Sequence, residues 1–193
     1  YAAFGVYSAF QNGTARSTAT QSVKNQVDTW KNTVNSLSSE AEKVKMIHDL
    51  IVQKVDYNTD IYGNSFNEDT AYTQSVYSVF CMDKTVCAGY AQAFEMMCNG
   101  VGVDCIAVTS DDHEWNKVRI NDSWYNVDCT WADQSTIDYE YFERSDAVYD
   151  ADLASYASSH AEESYWSEYL PACTLDSGAT YSDPGTLPTI TQQ

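Results

Sequence analysis

Three residues near the middle of the chain could together carry out acyl transfer: Cys87, His113 and Asp128. A thiol attacks a carbonyl only as the thiolate, and a free cysteine at neutral pH is mostly protonated. An imidazole can take that proton and return it to the leaving group, and a carboxylate can fix the tautomer of the imidazole and support its charged form. We therefore predict Cys87 as the nucleophile, His113 as the base and Asp128 as the orienting carboxylate.

The residues after Cys87 predict that its thiol lies at the start of a helix. Apolar residues recur there at spacings of three and four, and Asn99-Gly100 is typical of a helix end. A helix N-terminus carries partial positive charge, which stabilises a thiolate. We expect the small residues Ala88 and Gly89 to let a substrate backbone approach closely.

A predicted β-hairpin brings the other two residues together. Residues 114–120 alternate in side-chain character, Asn121-Asp122-Ser123 is a hairpin turn signal, and Trp124 to Thr130 is typical of a return strand. His113 precedes the first strand and Asp128 lies late on the second. These positions come close across an antiparallel ladder, so the spacing favours contact between the two side chains.

Three blocks of this sequence resemble the bacterial transglutaminase-like superfamily, whose core is papain-like. The blocks are Cys87-Ala88-Gly89-Tyr90-Ala91, His113-Glu114-Trp115-Asn116-Lys117-Val118 and Trp124-Tyr125-Asn126-Val127-Asp128-Cys129-Thr130-Trp131. The resemblance runs from residue 38 to residue 146 and includes Tyr141-Phe142 before Ser145-Asp146. It implies a cysteine-dependent acyltransferase or protease with the same three residues in the same three roles.

The predicted fold class is α+β, with several helices packed on an antiparallel sheet of at least three strands. The resemblance implies a papain-like transglutaminase core with the nucleophile at a helix N-terminus. We expect a helical extension at 1–37, a catalytic core at 38–150, and a helical segment and tail at 151–193 packed on the same domain. An amphipathic helix is predicted before the core, and Ser39 with Glu42 predicts a capping box. The apolar stripe of that first helix is Val23, Val27, Trp30, Val34 and Leu37.

Other residues are candidates for contact with the substrate. The backbone N–H of Cys87 is one natural donor to an oxyanion, because early helix N–H groups lack internal acceptors. A second donor is expected upstream, from Gln74 or Tyr77. Papain-like sites often use a glutamine, while many transglutaminase-like members use an aromatic residue. The candidates for the walls of the cleft are Tyr90, Trp115 and Trp131.

Charge and hydropathy exclude several classes of protein. The net charge is −18, and 18 of the 28 acidic but only three of the ten basic residues follow position 103. Such a surface repels nucleic acid and anionic membranes, so we expect no nucleic-acid partner. An acidic rim can attract basic peptides or amine donors. There is no apolar run of about 18 residues, and we therefore expect no membrane span.

The cysteines and histidines predict neither a disulfide framework nor a metal site. The six cysteines include no CxxC pair. If Cys87 is a free nucleophile, at least one other cysteine is unpaired as well. His48, His113 and His160 show no metal-ligand spacing, so no metal and no cofactor are expected. We expect an extracellular or cell-surface protein of a bacterium. The chain begins at Tyr1 without a signal-like segment, which is consistent with removal of a signal peptide by processing.

The second half of the reaction divides the functional hypotheses. Water would resolve an acyl-enzyme in a peptidase or amidase, whereas a primary amine would resolve it in a transglutaminase. Hydrolysis of a peptide or protein substrate is favoured, because animal-type cross-linkers are larger and calcium-dependent and this chain lacks a D-x-[DN]-x-[DN]-G calcium loop. A third hypothesis is a cell-surface module whose cleft binds a peptide without turnover.

Overall fold

The computed structural model describes residues 10–58, 72–156 and 160–187, and it confirms the predicted α+β class. Helices predominate before β3, and three consecutive strands follow α4 along the described chain. The helices are α1 (Gly13–Val34), α2 (Glu40–Lys54), α3 (Val76–Cys81), α4 (Cys87–Gly100), α5 (Cys129–Ala132) and α6 (Asp146–Tyr156). The strands are β1 (Asp56–Tyr57), β2 (Lys84–Thr85), β3 (Cys105–Thr109), β4 (Glu114–Ile120), β5 (Ser123–Val127) and β6 (Phe142–Arg144).

The first two helices form as the apolar periodicity predicts. Trp30 and Val34 are buried near the end of α1, which packs against α3 and α4, while Leu37 lies beyond the helix. The predicted capping box is present at the start of α2. The Ser39 hydroxyl accepts from the Glu42 N–H, and the Glu42 carboxylate accepts from the Ser39 N–H at 3.1 Å. Both exchanges satisfy N–H groups that have no intrahelical acceptor.

The sheet that carries the candidate site is four-stranded and antiparallel, in the order β3-β4-β5-β6. The predicted hairpin joins β4 to β5, with Arg119 paired to Trp124. Its two turn residues, Asn121 and Asp122, both have positive φ angles, 48° and 68°. That pair of left-handed residues matches the right-handed twist of the flanking strands. A separate pair of short parallel strands, β1 and β2, lies just before α4.

Strand β4 is covered on both faces. Val118 and Ile120 join the main core under α4, while Trp115 on the opposite face joins a second cluster with Tyr149. Lys117 shares that opposite face and is only 2% exposed. Side chains of β4 therefore alternate between two buried faces. The second face, with Trp115 and Lys117, is buried because residues from the C-terminal third cover it.

Helix α4 ends at Gly100, as the Asn99-Gly100 signal predicts. The left-handed residue of the turn that follows is Gly102, with a φ of 83°. The Asn99 side chain bonds both the N–H and the C=O of Cys105 at the start of β3. Asn99 thus links the end of α4 to the sheet. Among the described residues there is no helix with the length and hydropathy of a membrane span.

Candidate active site

Cys87 is the first residue of α4, and its side chain is half-buried. Val86, in extended conformation, precedes it and accepts from the N–H groups of Gly89 and Tyr90. The Val86 N–H donates to the Thr73 carbonyl at 3.1 Å. The thiol therefore lies where the helix dipole favours a negative charge, on a segment fixed from both sides.

Gly89 allows the start of α4 to lie directly against residues 73–85. A Cβ at position 89 would be 1.9 Å from Thr85 Oγ1 and 2.9 Å from the Thr73 carbonyl oxygen. The expectation that Gly89 leaves space for a substrate backbone is wrong, because the protein's own chain occupies that space. The small residue positions the nucleophile helix.

His113 directly precedes β4 and is held by a closed turn. Its N–H donates to Ser110 Oγ at 3.1 Å, and the Ser110 N–H donates to the His113 carbonyl at 2.9 Å. His113 Nε2 lies 2.6 Å from Asp128 Oδ2. Cys87 lies close enough to the imidazole to contribute to its pKa, and Nδ1 is the ring nitrogen that does not face Asp128.

Asp128 is fully buried and forms a branch point in the hydrogen-bond network. The return strand ends at Val127 and Asp128 is the N-cap of α5, so the prediction of a strand through Thr130 is wrong. Its Oδ1 accepts from the N–H groups of Thr130 and Trp131 at 2.8 and 3.1 Å. The cap uses one carboxylate oxygen and leaves Oδ2 to face His113.

The two partners shift each other's protonation. Burial by itself would lower the pKa of His113, but the charge and hydrogen bond of Asp128, with a smaller contribution from Cys87, raise that pKa to about 10. Burial by itself would raise the pKa of Asp128, but the charge and hydrogen bond of His113 hold it well below its usual range. At neutral pH the site therefore holds an imidazolium beside a carboxylate.

Asn116 connects the strand that follows His113 to the helix of Cys87. Its side chain is completely buried on β4, and Nδ2 donates to the Ala91 carbonyl of α4 at 3.0 Å. The contact lies one helical turn after the nucleophile. It fixes the distance between the element that carries the thiol and the element that carries the base.

The two oxyanion candidates lie in different surroundings. Gln74 is exposed in the turn before α3 and directly follows Thr73, whose carbonyl binds the residue before Cys87. Tyr77 is half-buried on α3, and its ring centroid lies 5.2 Å from that of Phe10. The hydrogen bond between Val86 and Thr73 thus links the residue before Cys87 to the residue before Gln74. Tyr77, in contrast, packs beside α1.

The three cleft candidates are placed differently from one another. Tyr90 is fully buried, and its hydroxyl donates to Asp133 at 2.5 Å, so the prediction that it lines an open cleft is wrong. Trp115 is also buried and lies beneath His113, with ring centroids 6.1 Å apart and nearly parallel planes. Trp131 is half-buried and lies 6.2 Å from the His113 ring. Of the three, only Trp131 is partly exposed.

His160 is a buried neighbour of the site that sequence reasoning missed. Its Nε2 lies 2.9 Å from Asp128 Oδ2, the same oxygen that faces His113. It follows the three sequence blocks along the chain, in a segment with no clear periodicity. The available signal was chemical: His160 is the one histidine in the acidic C-terminal third, beside Glu162 and Glu163.

His113, Asp128 and His160 offer three metal-binding atoms that lie within 4.8 Å of one another. Ligand nitrogens about 2.0 Å from a zinc ion in tetrahedral geometry lie about 3.3 Å apart. The two imidazole–carboxylate separations here are shorter, at 2.6 and 2.9 Å, and are those of hydrogen bonds. The arrangement fits a protonated imidazole–carboxylate network better than a metal centre.

The family of the chain follows from its sequence. The profile of the transglutaminase-like superfamily matches residues 28–129, more than half of the chain, and thus includes Cys87, His113 and Asp128. The chain belongs to this superfamily, as the three sequence blocks predict. The match ends before His160.

Individual relatives agree with this family. The kyphoscoliosis peptidases of Mus musculus and Homo sapiens are each 29% identical to the chain over 110 residues, which cover 49% of this chain and 16% of the relative. The aligned part of the chain thus spans about a sixth of the length of these curated relatives. A crystal structure of a TGase aligns with a TM-score of 0.50 and 16% identity, over 65% of this chain and 35% of that one, and supports the fold.

Proposed function

We propose that the chain is a cysteine-dependent enzyme that cleaves peptide or glutamine amide bonds through Cys87, His113 and Asp128. The observation that carries the proposal is the group of three side chains at the N-terminus of α4, in which Cys87 is an electrostatic neighbour of His113 and His113 is hydrogen-bonded to the buried Asp128. Acyl transfer requires a nucleophile, a proton carrier and an orienting carboxylate, and this arrangement supports those three roles in that order.

In the proposed reaction, the Cys87 thiolate attacks the amide carbonyl and forms a tetrahedral oxyanion. The Cys87 N–H faces that oxygen from the helix start, and Gln74 is our candidate for the second donor. The His113 imidazolium gives its proton to the leaving amine as the C–N bond breaks, which leaves a thioester. His113, now neutral, takes a proton from water as the water attacks the thioester, and the Cys87 thiolate is released beside the His113 imidazolium.

Hydrolysis is our preferred second half-reaction, and the relatives named peptidases agree with it. One observation favours amine transfer as the alternative. A cavity of about 390 Å³ adjoins Trp131, and its walls combine two aromatic rings with two carboxylates. Such walls attract a cationic amine. The cavity is lined by Thr130, Trp131, Gln134, Asp138, Glu140 and Tyr141.

The test compares variants on glutamine-containing and basic peptides, each assayed with and without a primary amine. Cys87→Ala and His113→Ala should each abolish turnover, because the reaction loses its nucleophile or its proton carrier. Cys81→Ala is the matched control, since Cys81 is the other half-buried free cysteine, and it should retain activity. Ammonia released when no amine is added, or new amino termini, indicate hydrolysis, whereas incorporated amine indicates transfer.

The same assay separates an enzyme from a binding module. If the wild type turns over no peptide yet binds one, and Cys87→Ala binds it equally well, the proposal is refuted in favour of a non-catalytic peptide-binding module. The double variant Cys87→Ala/His113→Ala should lose little more activity than the less active of the two single variants, because the two residues act as a unit.

A further inference from the structure

His160 is enclosed by aromatic rings in the core behind the candidate site. Its ring centroid lies 4.3 Å from that of Tyr149 and 4.6 Å from that of Trp131. The side chain is 3% exposed at most, and Nε2 makes its hydrogen bond to Asp128 Oδ2 at 2.9 Å. Nδ1 is buried and has no hydrogen-bond partner among residues 10–58, 72–156 and 160–187. The one polar contact found for this imidazole is therefore the carboxylate that orients His113.

The backbone around His160 is attached to the sheet at two points. The buried Lys117 of β4 reaches Glu162 with an Nζ–Oε1 distance of 2.5 Å. The Glu163 N–H donates to the Thr109 carbonyl at the end of β3, at 3.2 Å. Both contacts lie within three residues of His160, so its position is determined by the two strands that flank the His113 turn.

With His160 included, the Asp128 carboxylate has four hydrogen-bonding neighbours. Oδ1 accepts from two backbone N–H groups, and Oδ2 lies between two imidazole nitrogens, at 2.6 and 2.9 Å. A carboxylate held by a helix cap alone could still turn Oδ2 away from His113. A second donor on Oδ2, approaching from the core, removes that freedom, because both oxygens are then fixed.

We propose that His160 is a positioning residue of the active site, which donates its Nε2–H to Asp128 Oδ2 and thereby keeps the carboxylate ionised and aimed at His113. This inference rests on the proposed function, since it assigns to the same site a fourth residue. The residue does not touch the substrate. It acts through Asp128, and the family match does not extend to it.

The hydrogen bond from His160 favours the charged form of Asp128. Loss of one hydrogen-bond donor to the ionised carboxylate should raise the pKa of Asp128 by roughly one to two pH units. The other titratable groups facing Asp128 are His113, Cys129 of α5 and Tyr149 of α6. Burial raises the pKa of Cys129 and Tyr149, so both stay neutral in an acidic titration.

The first experiment measures kcat and KM against pH for His160→Phe, which keeps an aromatic ring but removes the donor. We expect kcat to fall about 10- to 100-fold with KM nearly unchanged, and the acid limb of kcat/KM to move to higher pH. His160→Gln, whose amide reaches the position of Nε2, should restore most of the activity. His160→Asn, whose shorter amide does not, should behave like His160→Phe and replaces it if that variant fails to fold.

The second experiment needs no substrate and so separates this inference from the proposed function. The chain has only three histidines, which makes NMR of histidine-labelled protein simple to assign. In His160→Phe, the transition of the His113 ring signals at acidic pH should lie at higher pH than in the wild type. His48→Phe is the matched control, because His48 is also buried beside a carboxylate, Asp49, and it should leave the transition in place.

The inference is overturned if His160→Phe leaves the His113 transition where it lies in the wild type, or if His160→Gln loses as much kcat as His160→Asn. If the wild type turns over no substrate while the His113 transition still moves in His160→Phe, the proposed function fails and the positioning of Asp128 by His160 stands.

Discussion

At the scale of single residues, Cys87 differs from the other cysteines in its surroundings. It is one of two cysteines that are not fully buried, and it lies at a helix start as an electrostatic neighbour of His113. A protonated imidazole stabilises the adjacent thiolate, which is the form that reacts with electrophiles.

We predict that Cys87 is alkylated by iodoacetamide at least about tenfold faster than Cys81 at neutral pH, because the thiolate is the reacting form. Peptide mapping by mass spectrometry after short exposures gives both rates in one sample. His113→Ala should remove most of the difference. Equal labelling of the two cysteines would contradict the assigned nucleophile.

The His113–Asp128 pair should also make stability depend on pH in a specific way. The pKa of Asp128 is lowered, so its contribution is present above its unfolded value of about 3.9 and is lost as the pH falls. The pKa of His113 is raised to about 10, so its contribution is complete below its unfolded value of about 6.5 and is lost as the pH rises toward 10.

We therefore predict that the difference in unfolding free energy between wild type and Asp128→Asn is largest between about pH 4 and pH 6.5. The difference in unfolding free energy should become smaller below about pH 4 and above about pH 6.5. Urea denaturation at a series of pH values measures it, with the exposed Asp150→Asn as the control. A difference that does not vary with pH would mean that the two side chains are not an ion pair.

At the scale of elements, the start of α4 depends on the close approach at Gly89. Gly89→Ala should destabilise the protein by about 1–3 kcal/mol, because the added methyl group overlaps Thr85 and the Thr73 carbonyl. It should also slow the alkylation of Cys87, since the helix must shift. Thermal unfolding and the labelling assay test both effects.

Gly100→Ala in the same helix is the matched control. A Cβ there would meet only the flexible side chain of Lys31, at 3.3 Å, and the higher helix propensity of alanine should offset that contact. If Gly89→Ala is as stable as Gly100→Ala, residues 73–85 are not packed against α4 as described.

The sequence predicted the parts of the site that local signals determine. The helix beginning at Cys87 follows from a periodic apolar stripe, and the hairpin follows from an Asn-Asp turn whose residues adopt the positive φ angles they tolerate well. The order of the three blocks then identified the family. Local patterns of this kind depend on a few neighbouring residues, so one sequence is enough to detect them.

Contacts distant in sequence could not be predicted in the same way. Lys117 looks like an exposed strand residue, and only the packing of Glu162 and Asp146 against β4 explains its burial. Tyr90 looked like a cleft residue because it lies next to the nucleophile, but its direction from the helix points it to Asp133. His160 lies in no motif or periodic pattern, and its hydrogen-bond partner Asp128 is 32 positions away.

At the scale of the whole molecule, the net charge of −18 should influence which peptides reach the site. We predict that raising the salt concentration from about 0.05 to 0.5 M increases KM for a basic peptide substrate several-fold and leaves kcat almost unchanged, because salt screens the long-range attraction. An acidic peptide of the same length should show the opposite trend in KM. If both peptides respond alike, the charge serves solubility alone.

The C-terminal part of the described chain is attached to the core along much of its length. The Asp146 N–H donates to the Cys173 carbonyl at 2.7 Å, and the Ile137 N–H donates to Asp183 at 2.9 Å. Near its end, Leu187 donates to Gln53 of α2 at 3.1 Å. Residues 160–187 therefore belong to the packing of the catalytic fold.

The ion pair of Lys117 with Glu162 has a consequence for the nascent chain during translation. Translation proceeds from the N-terminus, so Cys87 and His113 leave the ribosome well before Glu162 and His160 do. Until that later segment is made, Lys117 lacks one carboxylate partner and Asp128 lacks one donor. A nascent chain would thus carry its thiol without the complete support of the base, and full reactivity would arise only once synthesis has passed the segment that follows α6.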